Sequence, residues 1–430
     1  MRLKIDGKRL ILFQLQYLFV IKLIIDVFPG LSPAMYLADM LSILILLDAI
    51  KKIYKIRTVS FAWLILLVCS LLFYDLIELL IRKQGVLLFL WGVRNQYRFI
   101  LFTVSSALIL TRDDIEEVIK VIKRWFKINI PIVTIEYLLG YKMDFLGGTF
   151  GLERGCNAIV NIFLCVVVSI TIVSWLNKKS KTLNMLFYMF FSLYWGVLSE
   201  LKMFFIEFII IIILALFLVR KNETRKLHII FVSIIGIFVA INALAWVFPY
   251  YSNFFNIASI ISYAKNVNLG YAGFGRISAI PQITSLFFKE NFDYILFGLG
   301  VGSAEFSGIS FLNSQIYETF KQYQYFSYFH AFMYVERGII GLIWYLLFFG
   351  SSIIIGIRSI RGCNDRYTYL MQMSIIISIC SIITMIYDIG LRTSTSGYLA
   401  FLMCSLPYLL KLRSHHQKVG EDKVYDCRKG

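Results

Sequence analysis

Long apolar stretches recur along the whole chain, and short polar or charged segments separate them. Runs such as "VSFAWLILLVCSLLFYDLIELL" (59–80) and "MFFIEFIIIIILALFLV" (203–219) approach or reach the roughly 20 residues that a helix needs to cross a bilayer. The pattern predicts twelve spans, at about 10–28, 33–50, 59–80, 96–111, 128–143, 157–176, 183–198, 203–219, 228–249, 334–356, 367–389 and 396–410. Between two of these, residues 111–127 ("TRDDIEEVIKVIKRWFK") follow a different rule. Ile115, Val118, Ile119, Ile122 and Trp125 recur at helical spacing, with acidic residues first and basic ones last. That order suits the helix dipole and predicts an amphipathic helix along the membrane surface.

Most connections are too short to be domains. The exception is 250–330, about eighty residues between spans nine and ten. Loops of that length are commonly functional or disordered, and the density of Tyr and Phe argues against disorder. Within it, "ISAIPQITSLFFKE" places Ile280, Ile283, Leu286 and Phe287 on one helical side, and "LFGLGVGSAEF" is a glycine-rich turn. The reading is therefore an all-α polytopic membrane protein: one integral domain over 1–430, with a single long loop.

Composition agrees, at 59% hydrophobic and 16% charged residues, with a mean hydropathy of +0.74. A soluble domain could not bury that much apolar surface. The basic N-terminus lacks a small-residue cleavage site and reads as a retained first span. The cysteines at 69, 156, 165, 363, 380, 404 and 427 show no CxxC spacing and read as small hydrophobes. The net charge of +17 could suggest nucleic acid, but its placement argues otherwise. With the N-terminus inside, segments 1–9, 51–58, 111–127, 177–182, 220–227, 356–367 and 411–430 carry 29 of the 43 Lys and Arg. That is the positive-inside bias, so both termini are expected in the cytoplasm and loop 250–330 outside.

Three elements follow one another in a fixed order: "GFGRISAIPQITSLFFKENFDYILFGLGVG", then "ERGIIGLIWYLLFF", inside about a dozen spans. This resembles the O-antigen polymerase and ligase superfamily, the Wzy-type polymerases of bacterial surface polysaccharides. The matching positions are Gly275-Arg276, then Gly298, Gly300 and Gly302, then Glu336, Gly338 and Gly341. "GGTFGLERGCNAIVNIF" is similar to the family's Arg-Gly segment at Arg154 and Gly155. The ligase branch carries a histidine eleven residues before the first glycine of its Glu-x-Gly-x-x-Gly. Here that position is Ser327, and His330 lies three residues later. The polymerase branch fits better.

The resemblance implies a GT-C-like glycosyltransferase in the bacterial cytoplasmic membrane. It would join oligosaccharide repeat units carried on undecaprenyl diphosphate, as donor and as acceptor, at the outer face. No metal or cofactor is expected. A flippase and a chain-length regulator are candidate partners, and nucleic acid is not. The leaving lipid diphosphate calls for cations, and arginine suits it because its planar fork binds phosphate oxygens bidentately. The candidates for diphosphate binding are Arg276, Arg154, Arg337, Arg94 and Arg98; Arg276, His330 and Glu336 are the catalytic candidates.

Each candidate also has a structural reading. Arg276 could anchor the loop at headgroups, and Arg154 could pair with Glu153. Arg94 and Arg98, four apart, could pair with Asp75 or Glu78. If 327–341 is one helix, His330 and Arg337 share a side and could face one cavity, with Glu336 turned toward a neighbouring helix or the loop. His330 is then either the base for the acceptor hydroxyl or a hydrogen-bonded histidine. Arg337 is either a diphosphate ligand or half of an ion pair, and Glu336 a base or a positioning group. Gly338 and Gly341 would let another helix approach closely. Asp293 and Glu305 are alternative bases, and Lys202 a further cation. Lys22 with Asp26 reads as an ion pair, as does Glu207 with Lys202. The aromatics of "YETFKQYQYFSYFHAF" could stack on sugars. Competing readings are a ligase that delivers glycan to another acceptor and a transporter of lipid-linked sugars; transporters place their sites near the midplane at repeats, which this sequence lacks.

Overall fold

The computed structural model describes residues 6–53, 58–219, 223–248, 273–362 and 367–412, and among them every regular element is helical. The first part of the predicted outer loop (249–272), the start of the chain (1–5), and the positions of Cys363 and Cys427 lie outside the described residues. In chain order the longer helices are α1 (Gly7–Val27), α2 (Leu37–Ile53), α3 (Val59–Arg82), α4 (Val86–Ile109), α5 (Arg112–Leu138), α6 (Asn157–Leu176), α7 (Thr182–Leu198), α8 (Lys202–Leu218) and α9 (Glu223–Val247). Short helices α10 (Ala279–Leu286), α11 (Phe292–Phe297) and α12 (Gln315–Phe320) follow, then α13 (Phe329–Gly362), α14 (Thr368–Tyr387) and α15 (Ser394–Cys404).

Seven helical stretches are long and apolar enough to cross a membrane: Gly7–Val27, Pro29–Lys52, Val59–Arg82, Asn157–Leu176, Glu223–Val247, Phe329–Ile360 and Thr368–Tyr387. Their packing is also that of a membrane protein. Helices α3 and α9 turn Leu66, Phe73, Phe231, Ile234, Phe238 and Trp246 outward, where water would penalise them and acyl chains would not. Helix α6 does the opposite. It is buried from Ala158 to Leu176, wrapped by α5, α7, α8, α14 and α15. Hydroxyls fasten the neighbouring helices: Ser374 Oγ donates to the Met403 carbonyl (2.7 Å), Ser352 Oγ to the Cys404 carbonyl (2.9 Å) and Thr103 Oγ1 to the Phe401 carbonyl (3.0 Å). Such bonds suit an interior where no water competes.

Two predicted elements come out differently. The amphipathic segment 111–127 and the predicted span 128–143 form one continuous helix, α5, opened by a capping box between Thr111 and Asp114. Its buried stripe runs unbroken from Ile115, Val118 and Ile122 through Phe126 and Asn129 to Val133 and Glu136, with Pro131 tolerated inside. The register of the surface helix therefore simply continues inward. The helix assumed over 327–341 is, in contrast, interrupted. It begins at Phe329, and Gly338 has φ 58° and ψ −154°. A side chain at Gly338 would stand 2.4 Å from the Leu296 carbonyl, so the break lets α11 pack backbone against backbone. The space at Gly341 is filled by the stem of Arg337 and not by another helix.

The glycine-rich turn 298–302 is a clamp of the same kind. Gly302 has φ 92°, and a Cβ there would meet the Leu88 carbonyl oxygen at 2.2 Å; one on Gly92 of α4 would meet the Gly302 nitrogen at 2.6 Å. Gly302→Ala is therefore expected to lower the melting temperature of the detergent-purified protein strongly, since the backbone conformation alone costs roughly 1–3 kcal/mol before the clash is counted. Gly308→Ala, with open space around it, should leave the melting temperature within a degree or two or raise it slightly. Equal effects at the two positions would mean that the turn is not clamped.

Candidate functional site

The connections α1–α2, α5–α6, α7–α8, α9–α13 and α14–α15 all border one cavity of about 980 Å³. The chain thus returns to the same end of the bundle after each of these excursions. Lys22, Arg154, Lys202, Arg276, Lys321 and Arg392 line the cavity, together with the carboxylates Asp144, Glu153, Glu200 and Asp388. Aromatic rings complete the wall at Phe306, Tyr317, Phe326, Tyr328 and Tyr387.

Arg276 sits between two of those rings, its guanidinium carbon 4.2 Å from the centre of Tyr387 and 5.5 Å from that of Tyr328. Its Nε donates to the Tyr387 carbonyl at 3.1 Å. Stacking and this bond set the plane of the fork. His330 acts one layer below. Its Nε2 lies 2.9 Å from the Arg276 carbonyl oxygen, and the imidazole is buried and does not line the cavity. The structure thus gives His330 the hydrogen-bonded, positioning place, and Arg276 is what it positions. Arg154 is more exposed, on the far wall, with Nε 3.9 Å from Asp144 rather than on Glu153. Glu153 instead joins Lys22, which also holds Asp26 at 2.8 Å. Lys202 pairs with Glu200 at 2.6 Å and not with Glu207. Glu207 is enclosed by Asn161 (2.8 Å), Cys165 (3.1 Å) and Thr384 (3.1 Å).

Arg337, Glu336, Arg94 and Arg98 are placed elsewhere. Arg337 is fully buried and grips Asp75 with two bonds, Nε to Oδ1 at 2.7 Å and Nη2 to Oδ2 at 2.6 Å, while Nη1 bonds Gln96. With its fork so occupied it has no reach to the cavity. Glu336 is equally buried. It accepts from the Gly302 N–H (2.9 Å) with one oxygen and from Gln96 with the other, which ties the glycine turn to α4 and leaves no access for a hydroxyl substrate. Arg94 and Arg98 converge on Asp39, not on Asp75 or Glu78, at 3.0 Å and 3.8 Å; Arg98 also donates to the Arg392 carbonyl at 3.3 Å. Like charges four apart need a carboxylate between them, and α2 supplies it. Asp293 pairs with Arg82, and Glu305 is buried against Arg392 and Asn95.

Two cavity residues, Asp388 and Arg392, carry no assignment from the sequence. Both lie in "DIGLRTSTSG", whose pair of opposite charges in a short turn between apolar runs is the signal that could have marked them. Arg392 lies 3.7 Å over the Phe332 ring, paired with Glu305. Asp388 directly follows the last residue of α14. Its Oδ1 accepts from the Gly390 N–H at 2.6 Å, and burial pushes its carboxyl up to about 7 against the opposing pull of that N–H and of Arg276. Neither a known protein family nor any curated protein matches this chain.

Removing one partner of a buried ion pair strands the other, at about 3–5 kcal/mol. Asp75→Ala should therefore lower the yield of folded protein far more than Arg276→Ala, and Asp75→Leu combined with Arg337→Met should restore most of it. Both comparisons can be read by size-exclusion chromatography of a fluorescent fusion. If Asp75→Ala were harmless, the pair would not be structural.

Proposed function

We propose that this protein is a membrane-embedded glycosyltransferase that polymerises lipid-diphosphate-linked oligosaccharide repeats at the outer face of the bacterial cytoplasmic membrane. On this reading it has about twelve spans, a GT-C-like architecture and both termini in the cytoplasm. The observation that carries the reading is the cavity in which Arg276 and Arg154 meet four further cations and a wall of aromatic rings. A diphosphate leaving group enters negative and gains charge as the sugar departs. Cations held beforehand at that spot lower the barrier without reorganising during the reaction. Arg276, stacked between tyrosines and fixed through its backbone by His330, is the best-held of the set. Half-exposed aromatic rings beside polar groups suit the apolar faces of sugars, and Tyr317, Phe326 and Tyr328 supply them. The lysine and arginine bias of the alternate loops supports an outer-face position for the cavity end. The partners of such an enzyme are the two lipid-linked oligosaccharides and the bilayer, with a flippase upstream and a chain-length regulator beside it.

The test is surface-polysaccharide length on a gel, in a deletion strain carrying the wild-type protein, Arg276→Ala, Arg154→Ala or Lys142→Ala at matched membrane levels. Lys142 is exposed and outside the cavity, and serves as the charge control. Loss of one such positioned donor costs on the order of 10²–10³ in rate, so Arg276→Ala should leave single repeat units while Lys142→Ala keeps long chains. Arg154→Ala should shorten chains less, because that side chain is more exposed. Loss of all surface glycan in the deletion strain would favour a flippase or a ligase instead.

A further inference from the structure

Four carboxylates line the cavity, and three of them face a cation: Asp144 at 3.9 Å from Arg154, Glu153 on Lys22 and Glu200 on Lys202. Asp388 differs. Among the described residues it forms no ion pair, Oδ1 takes the Gly390 N–H, and Oδ2 makes no hydrogen bond. Its backbone is held on both sides, since its N–H donates to the Thr384 carbonyl (3.0 Å) and its carbonyl accepts from Phe329 (3.0 Å). It also stands next to Tyr387, whose carbonyl Arg276 grips and whose ring Arg276 covers.

We infer that Asp388 is the general base of the transfer reaction, taking the proton from the acceptor sugar hydroxyl while Arg276 faces the departing diphosphate. This inference rests on the proposed glycosyl transfer. In the step, the acceptor O–H bond breaks and its proton passes to Asp388 Oδ2. The freed oxygen bonds to the anomeric carbon, and the bond from that carbon to the diphosphate oxygen breaks with its electron pair leaving on the phosphate. No oxidant or second reagent is needed. The proton is later released to water through the cavity. The charged groups that bear on Asp388 are Arg276, from the loop ahead of α10, and Glu207, from α8, and they act in opposite senses. A carboxyl raised to about 7 is matched to this task near neutral pH.

The experiment is transfer between lipid-diphosphate-linked repeat units in detergent, followed from pH 5.5 to pH 9 with wild type, Asp388→Asn and Asp388→Glu. Wild-type turnover should rise with pH through about 7 and then level. Asp388→Asn should lower turnover about 10²–10⁴-fold with KM changed only a few-fold and no rise near 7, and Asp388→Glu should recover part of the rate. Because burial opposes the ionised form, Asp388→Asn should melt at pH 8 no lower than wild type. An Asp388→Asn protein with wild-type turnover and pH profile overturns the inference while leaving the polymerase reading standing. A low-melting Asp388→Asn with no rescue by glutamate also overturns it, in favour of a structural aspartate. If wild type itself transfers no sugar, the polymerase reading falls and the inference falls with it.

Discussion

A guanidinium with no exposure to solvent is the constraint on which this architecture turns. Arg337 cannot be left unpaired in an apolar interior, because the charge would cost several kcal/mol. Everything around it answers that demand. Asp75 comes from α3, Gln96 from α4, and Tyr97 donates to Asp75 at 2.7 Å. Gln96 then spans from Arg337 to Glu336, and Glu336 collects the Gly302 N–H. One buried charge thus registers three helices and a loop. It also explains the glycines, because backbones drawn this close leave no room for a Cβ at Gly298, Gly302 or Gly338.

The cavity is built outward from that anchor. The helical segment carrying Glu336 and Arg337 at its C-terminal end carries His330 at its N-terminal end, where the imidazole meets the backbone of Arg276. Glu305, just beyond the clamped glycine turn, reaches Arg392 on the opposite connection. Tyr74 adds a third tie, donating to the Phe297 carbonyl at 2.6 Å from the C-terminal half of α3. Packed elements therefore stand behind Arg276 and Arg392, the two cations that this anchor reaches.

How much of this could be read from the sequence depends on whether the relevant force is local. Apolar runs located the helices because a membrane filters residues by hydropathy, and Lys22 with Asp26 was readable because the partners sit one helical turn apart. The glycine turn and the loop helix at Ala279–Leu286 were also visible, since their signals lie within a few residues. Partner choice between helices was not. Asp39 and Asp75 are both plausible mates for Arg94, and only the packing of α2 against α4 selects Asp39. The helix assumed over 327–341 failed for a related reason. Glycine permits a break without requiring it, and the requirement comes from α11, some forty residues earlier. Asp388 and Arg392 went unassigned because charges at the end of a span look the same whether they face lipid headgroups or a cavity.

The same contrast separates structural cations from those able to act on a substrate. Arg337 is already neutralised by Asp75, and Arg94 and Arg98 share Asp39, so little of their field is left to respond when a new negative charge develops. Arg276 has a different setting. Tyrosine faces and a carbonyl hold it in place, and those partners orient a guanidinium without cancelling its charge. Neutral partners of this kind orient a cation, whereas a carboxylate also offsets its charge. That distinction is one of partner chemistry and not of position in the sequence. It is why one arginine of five stands out only when the neighbours of each are known.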